Sequence, residues 1–290
     1  MLADYHFTAY SWVLLGTTVI ALVVAYDLWQ RRNAPGALYL FWLELAAAWW
    51  ALAGVWEAAA TTVFLKQFWS QVSYLGVTTT PVLFFLFAHG YSQPQGRLSA
   101  RRVGALFIVP GLTVLAAATN GQHHAVWTGI SVNPTNYVAT YGHGVWFWIF
   151  MAFTYTLLAL GVALLLSAWF HFPMHYRSQT GVLLAGSALP LAANLLYLLG
   201  FGPLQGWDWT PSAFALTGVI LAWGLSRHRV FDLIPLARNR LVESMVDGVL
   251  VVDARQRILD VNPAAQALFA EQGLEIPRIG AAVPALLADW

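Results

Sequence analysis

The chain has 290 residues, of which 59% are hydrophobic and 9% charged, against roughly a quarter charged in a soluble globular domain. That balance excludes a water-soluble fold for most of the length and makes the lipid bilayer the natural solvent. A net charge of +1 leaves no basic footprint for nucleic acid, and the absence of cysteine excludes disulfides, thiolate metal sites and cysteine nucleophiles.

Apolar runs of about 20 residues are long enough to cross the hydrocarbon. Seven stand out, at roughly 9–29, 37–60, 68–91, 99–118, 144–170, 180–200 and 208–226. No Lys or Arg precedes Arg31, so the first run lacks the basic segment of a secretory signal and reads as a retained span. An odd number of spans puts the termini on opposite sides, and Lys and Arg are retained in cytoplasmic loops. Arg31, Arg32, Arg97, Arg101, Arg102 and Arg177 all fall on one face, with Arg227, Arg229, Arg238 and Arg240 following the seventh span. The opposite face carries only Lys66, read as part of the short loop before the third span. The expectation is a multi-pass plasma-membrane protein with its amino terminus outside and its carboxyl terminus in the cytoplasm.

Three spans contain an internal proline, Pro81, Pro110 and Pro190. Each removes a backbone donor and frees the carbonyl one turn earlier, so kinks are expected there. Thr78, Thr79 and Thr80 are placed to satisfy the carbonyl freed by Pro81. Between the fourth and fifth spans, residues 119–143 are rich in turn formers and lack a helical period. This outer loop is expected to fold back over the bundle, with His123, His124 and His143 as solvated loop residues rather than metal ligands. The seventh span opens on Asp208, Trp209, Thr210 and Pro211, where Thr210 can cap and Pro211 suits a first helical turn.

Ionisable groups inside spans cost about 2.5 to 3.5 kcal/mol to insert and are functional candidates by default. Glu44 and Glu57 both lie on the second span but are separated by roughly 220° around its axis, so they face different neighbours. Glu57, near the outer end, is a candidate to line an outward cavity with Asn194, Asp208, Trp56, Trp207 and Trp209. The bland alternative has Glu57 reaching the headgroups and Asn194 bonding a neighbouring helix. Asp27 and His89 read as interfacial anchors.

After the seventh span the composition becomes that of a soluble domain. Val249 to Val252 and Arg257 to Val261 form a strand pair across a polar turn. Asn262 then caps a helix with Pro263 in its first turn.

The stretch ESMVDGVLVVDARQRILDVNPAAQALF, which includes Asp247, Gly248, Asp253, Asn262 and Pro263, resembles the opening of PAS domains in bacterial sensor proteins. The upstream part resembles the amino-terminal seven-helix input region of membrane sensor histidine kinases. The matching pieces are WEAAATTVFLKQFWSQVSYLGVTTTPVLFFLFAHGY, LPLAANLLYLLG, WDWTPSAFALTG and RHRVFDLIPLAR. The resemblance implies an all-α seven-transmembrane-helix bundle over residues 1–230, a juxtamembrane linker over 231–240, and an incomplete α+β PAS-like segment over 241–290. It also implies a signal-input module of a two-component-type histidine kinase or, in some relatives, of a diguanylate cyclase. The signal would leave through a relay that includes Arg227, Arg229, Asp232, Pro235 and Arg238. The implied partners are the bilayer, a small-molecule or lipid stimulus and a second copy in a homodimer, with no cofactor.

A PAS domain takes about 100 residues and this one stops after about half of that, so the chain is expected to be an input half without its catalytic output. A retinal photoreceptor needs a lysine in the seventh span, and the chain's single lysine is Lys66. A small transporter predicts paired broken helices and internal repeats, which the sequence lacks. An intramembrane enzyme predicts a placed motif such as His-Glu-x-x-His, and none occurs.

Overall fold

In the computed structural model, residues 4–93, 96, 98–172, 174–199, 207–228, 242–253, 257–272 and 281 are described. They divide into two units, Met1–Phe231 and Asp232–Trp290. The first contains α1 (Ala9–Gln30), α2 (Ala37–Ala59), α3 (Val63–Ser92), α4 (Ala100–Leu106), α5 (Ile108–Ala118), a single turn α6 (Asn120–His123), a hairpin of β1 (Trp127–Val132) and β2 (Ala139–His143), α7 (Val145–His171), α8 (Met174–Leu199) and α9 (Thr210–His228).

Among the described residues, six segments are long and apolar enough to cross a membrane, the fourth being α4 and α5 together, and α9 adds the shorter apolar stretch Thr210–Ile220. Neighbouring helices close a ring in the order α1, α2, α3, α7, α8, α9 and back to α1, with α2 also meeting α9 and with α5 packed outside against α3 and α7. Large apolar side chains such as Trp12, Val23, Phe64, Leu115, Trp148 and Phe170 point away from the ring. Helices that are apolar all round belong in lipid. Inside the ring, one core joins Leu28 of α1, Leu43 of α2, Phe87 and Tyr91 of α3, Leu165 of α7 and Phe214 of α9.

Close approach is built from small residues, since apolar surface alone does not drive helices together in lipid. Gly76 of α3 lies directly against the Ala46 carbonyl and Trp50 of α2. Gly36, with φ of 79°, begins α2 against the backbone of Phe87 and Tyr91, a conformation that an L side chain rarely adopts. Helix starts follow the expected chemistry: Thr8 and Ser11 cap α1 reciprocally, Thr62 caps α3 and Ser99 caps α4.

Several sequence expectations need correction. Capped by Thr62, α3 begins at Val63, so Lys66 lies in its first turns rather than in a loop, and it is 1% exposed. At Pro110 the expected interruption is present, as a break beside the Leu106 carbonyl that it frees one turn earlier. The span is divided at Phe107, and Pro110 occupies the first turn of α5, where its missing N–H has no intrahelical role. Pro81 and Pro190 lie inside helices that continue through them. Thr79 and Thr80 donate to the carbonyls of Leu75 and Gly76, both at 2.8 Å, rather than to the Val77 carbonyl that Pro81 frees. Thr78 has a buried hydroxyl with no partner. The loop read as irregular holds a paired hairpin, in which Val132 faces Ala139 and Ile130 faces Tyr141. Asp27 pairs with Arg31 at 3.2 Å, one turn along α1.

In the second unit, β3 (Leu250–Val252) pairs antiparallel with β4 (Ile258–Val261) and leads into α10 (Pro263–Glu271). Asn262 is the knot. Its Oδ1 accepts from Val249 N at 2.8 Å and Ala265 N at 2.9 Å, while Nδ2 donates to the carbonyls of Asp247 at 2.8 Å and Val242 at 3.0 Å. Gly248 lies against Ala265 and Leu268 of α10. Asp253 Oδ1 accepts from Arg257 N at 2.8 Å across the turn. The expected relay residues Arg229, Asp232, Pro235 and Arg238 lie outside the described residues, as do Arg97, Arg240 and the side chain of Arg227.

Candidate functional site

Glu57 ends up beneath the hairpin. It sits in the last turn of α2, where β2 brings Tyr141 over it, and the phenol donates to Glu57 Oε1 at 2.8 Å. Ser70 Oγ of α3 lies 2.5 Å from the same phenol and, with the phenol proton committed to Glu57, serves as donor to it. Lys66 Nζ donates to the Glu57 carbonyl at 2.8 Å. A hairpin of two short strands is marginal alone, and this one is fixed at its base by Asn120, which is 3% exposed. Asn120 Oδ1 accepts from Val126 N at 2.9 Å and Trp127 N at 3.0 Å, and Nδ2 returns a bond to the Trp127 carbonyl at 2.9 Å. Trp127 in turn meets Tyr74 of α3 edge to face, with centroids 5.0 Å apart.

Below the hairpin is a cavity of about 120 Å³ whose walls include Glu57, Tyr74, Tyr141, His143, Asn194 and Asp208. Three of the six residues singled out in the sequence, Glu57, Asn194 and Asp208, thus line one space. The tryptophans do not. Trp56 turns outward and stacks on Trp69, with centroids 5.7 Å apart. Trp207 stacks on Tyr10 at 5.1 Å and Trp209 meets Tyr10 edgewise at 5.4 Å, so both brace that wall from behind, and Trp207 shares with Glu57 and Lys66 a smaller space of about 30 Å³. The physical reason is shared: an indole on the rim gains more from ring packing than from facing a polar cavity. His143 departs from the solvated reading. Its ring lies 3.8 Å from that of Phe147, nearly parallel, and burial holds its imidazole below the usual range. Tyr10, Tyr74, Tyr141 and Tyr197 were not marked in the sequence, because a tyrosine near a span end is equally suited to the headgroup layer.

Asp208 closes the opposite wall. The Tyr10 hydroxyl donates to its carbonyl at 2.6 Å, and its Oδ1 accepts from Thr210 N at 3.0 Å. Asp208 therefore caps α9, and the Thr210 hydroxyl, expected to cap, is buried beside the Asp208 carboxyl instead. Burial raises the Asp208 carboxyl from its ordinary range, with its contacts to Thr210 opposing the rise and the nearby Glu57 charge adding to it. A carboxyl raised in this way binds its proton more tightly folded than unfolded, so stability falls as pH climbs from the ordinary Asp range through the raised value. Asp208→Asn keeps the acceptor for Thr210 N and removes the titration. The variant should melt a few degrees above the wild type at neutral pH in detergent, and the difference should vanish toward about pH 4. An equal difference at both pH values would refute this origin.

A second, apolar cavity of about 60 Å³ lies deeper, between Pro81 and Pro190, with Phe84, Phe150, Thr210 and Phe214 among its walls. Trp50, Val77, Met151 and Asn194 are walls of both. Asn194 Oδ1 accepts from the Tyr155 hydroxyl of α7 at 2.7 Å. Glu44 takes no part in either space. It is fully buried, neither oxygen has a hydrogen bond among the described residues, and a Cβ on Gly218 of α9 would stand 2.6 Å from its Oε1. Gly218→Ala should therefore separate α9 from α2 and lower the thermal midpoint, while the double variant Gly218→Ala with Glu44→Ala recovers most of the loss. Thermal unfolding of the four forms as a double-mutant cycle measures the coupling.

The family described as the N-terminal 7TM region of histidine kinase matches residues 13–235. The chain belongs to that family. A PAS domain family matches residues 239–289, over the strand pair and helix knotted by Asn262. A search of curated proteins gives no match to the chain. The histidine-kinase input region is thus a multi-pass membrane bundle whose two cavities lie within its helical ring, followed by a PAS segment in the order of a two-component sensor.

Proposed function

We propose that this input region detects a stimulus in the cavity beneath the hairpin and passes it through α9 toward the PAS segment of a sensor histidine kinase. One observation carries the reading: α9 supplies walls to both cavities, with Asp208 just before it and Pro211 at the upper one and Thr210, Phe214 and Thr217 at the lower. A molecule that fits one packing of α9 better than another shifts the population by that difference in affinity. The hairpin end faces outward in this reading. Its connections contain no Lys or Arg, since Lys66 is buried in α3, whereas Arg31, Arg32, Arg101, Arg102 and Arg177 gather at the other end.

The orientation is testable because the chain has no cysteine. Thr135→Cys, at the exposed hairpin tip, should react with an impermeant maleimide on intact cells, and Arg32→Cys only after permeabilisation. The reverse pattern would end the proposal. For the relay, Thr17 of α1 and Ser212 of α9 place their hydroxyls 2.9 Å apart, so cysteines at both positions report on the α1–α9 contact. Filling the upper cavity with Ser73→Phe should change the rate at which that disulfide forms. An unchanged rate would separate the cavity from α9.

A further inference from the structure

We propose that the two cavities together take a small organic cation with an aromatic body, an arylalkyl-ammonium whose charge lies between Glu57 and Asp208 and whose body points toward Pro81 and Pro190. This rests on reading the upper cavity as the stimulus site. The charges favour a cation. Two carboxylates line the upper cavity and no Lys or Arg does. Each carboxylate commits one oxygen, Glu57 Oε1 to Tyr141 and Asp208 Oδ1 to Thr210 N, and the second oxygen of each takes no hydrogen bond from any described residue. Lys66 stands behind Glu57, bonded to its carbonyl, and offsets one of the two negative charges. One monovalent cation makes the site neutral, which a low-dielectric setting favours strongly.

The walls fit the same ligand. Tyr10, Trp50, Tyr74, Trp127 and Phe147 present aromatic surface around the acids, and aromatic faces attract ammonium groups. The lower cavity is apolar apart from a few groups, one of which, the hydroxyl of Thr154, is buried with no partner among the described residues. Thr154 lines the lower cavity and not the upper one, and its orphaned hydroxyl is a cost that its described neighbours do not offset. A hydroxyl at the far end of the aromatic body would satisfy it. Cavities of about 120 and 60 Å³ are of the scale that admits a single aromatic ring with a short chain.

The probe is tyramine, with 4-ethylphenol as its uncharged counterpart and 3-(4-hydroxyphenyl)propionate as its anionic one. Binding is measured by calorimetry on the whole chain in nanodiscs. Tyramine should bind at least about ten-fold more tightly than either counterpart, and Glu57→Gln and Asp208→Asn should each weaken it by about ten-fold or more. Thr154→Val should weaken tyramine several-fold, and the thermal midpoint of each variant shows that it is folded. Equal binding of 4-ethylphenol, tighter binding of the propionate, or tyramine binding untouched by both acid variants would overturn the ligand class. Such a failure differs from failure of the sensing reading: if tyramine does not bind while Ser73→Phe still alters the Thr17→Cys, Ser212→Cys cross-link, the cavity remains coupled to α9 and only the cation falls.

Discussion

Gly76→Ala is expected to be the most damaging small substitution in the bundle. A methyl group there would meet the Ala46 carbonyl of α2 closer than real Cβ atoms come and would press on the Trp50 backbone at 3.0 Å, and backbone cannot move aside as a flexible side chain can. The α2–α3 contact must open, which costs about 1 to 3 kcal/mol in a packed interior and removes part of the wall that Trp50 gives to both cavities. Thermal unfolding in detergent should show the loss, and Gly76→Val should fail to yield folded protein. Gly104→Ala, where a Cβ meets nothing within 4 Å, is the matched control and should be silent. A Gly76→Ala protein as stable as the control would mean that α2 and α3 are not in close contact at this point.

Asn120→Ala should release the hairpin. The side chain holds two backbone donors and one acceptor in a buried site, and each group left unsatisfied costs about 1 to 3 kcal/mol. Trp127 and Tyr141 dock only while the hairpin base is closed, so the Tyr141 bond to Glu57 goes with it. Hydrogen exchange should rise across residues 126–143 while α3 and α7 stay protected, and any ligand of the upper cavity should weaken. Protection of 126–143 equal to wild type would show that ring packing alone seats the hairpin.

The bundle is legible in the sequence because lipid imposes one rule on every span: long apolar runs with satisfied backbone. Glu57, Asn194 and Asp208 are legible for the same reason, since polar groups at those depths are too costly to be incidental. The hairpin is not. In WTGISV only Trp127 is buried, so no alternation marks a strand, and Asn120 resembles any loop asparagine until three backbone groups converge on it. Lys66 misled because a lysine suggests solvent, yet the end of α2 offers it a carbonyl and a neighbouring carboxylate. The tryptophans misled in the opposite direction. Their abundance near the span ends signals an interface, but which of them turns inward depends on ring partners that no linear spacing encodes. The PAS hairpin was readable because Asn-Pro after an apolar strand carries its own local mechanism.

The bare surface at Gly218 limits how α9 can move. Turning the helix by one residue, about 100°, would drive Thr217 or Val219 into the Glu44 carboxyl, and sliding it by a turn would bring Phe214 there. Either change would require the Glu44 carboxyl to move aside, so the contact between α2 and α9 favours one register of the two helices.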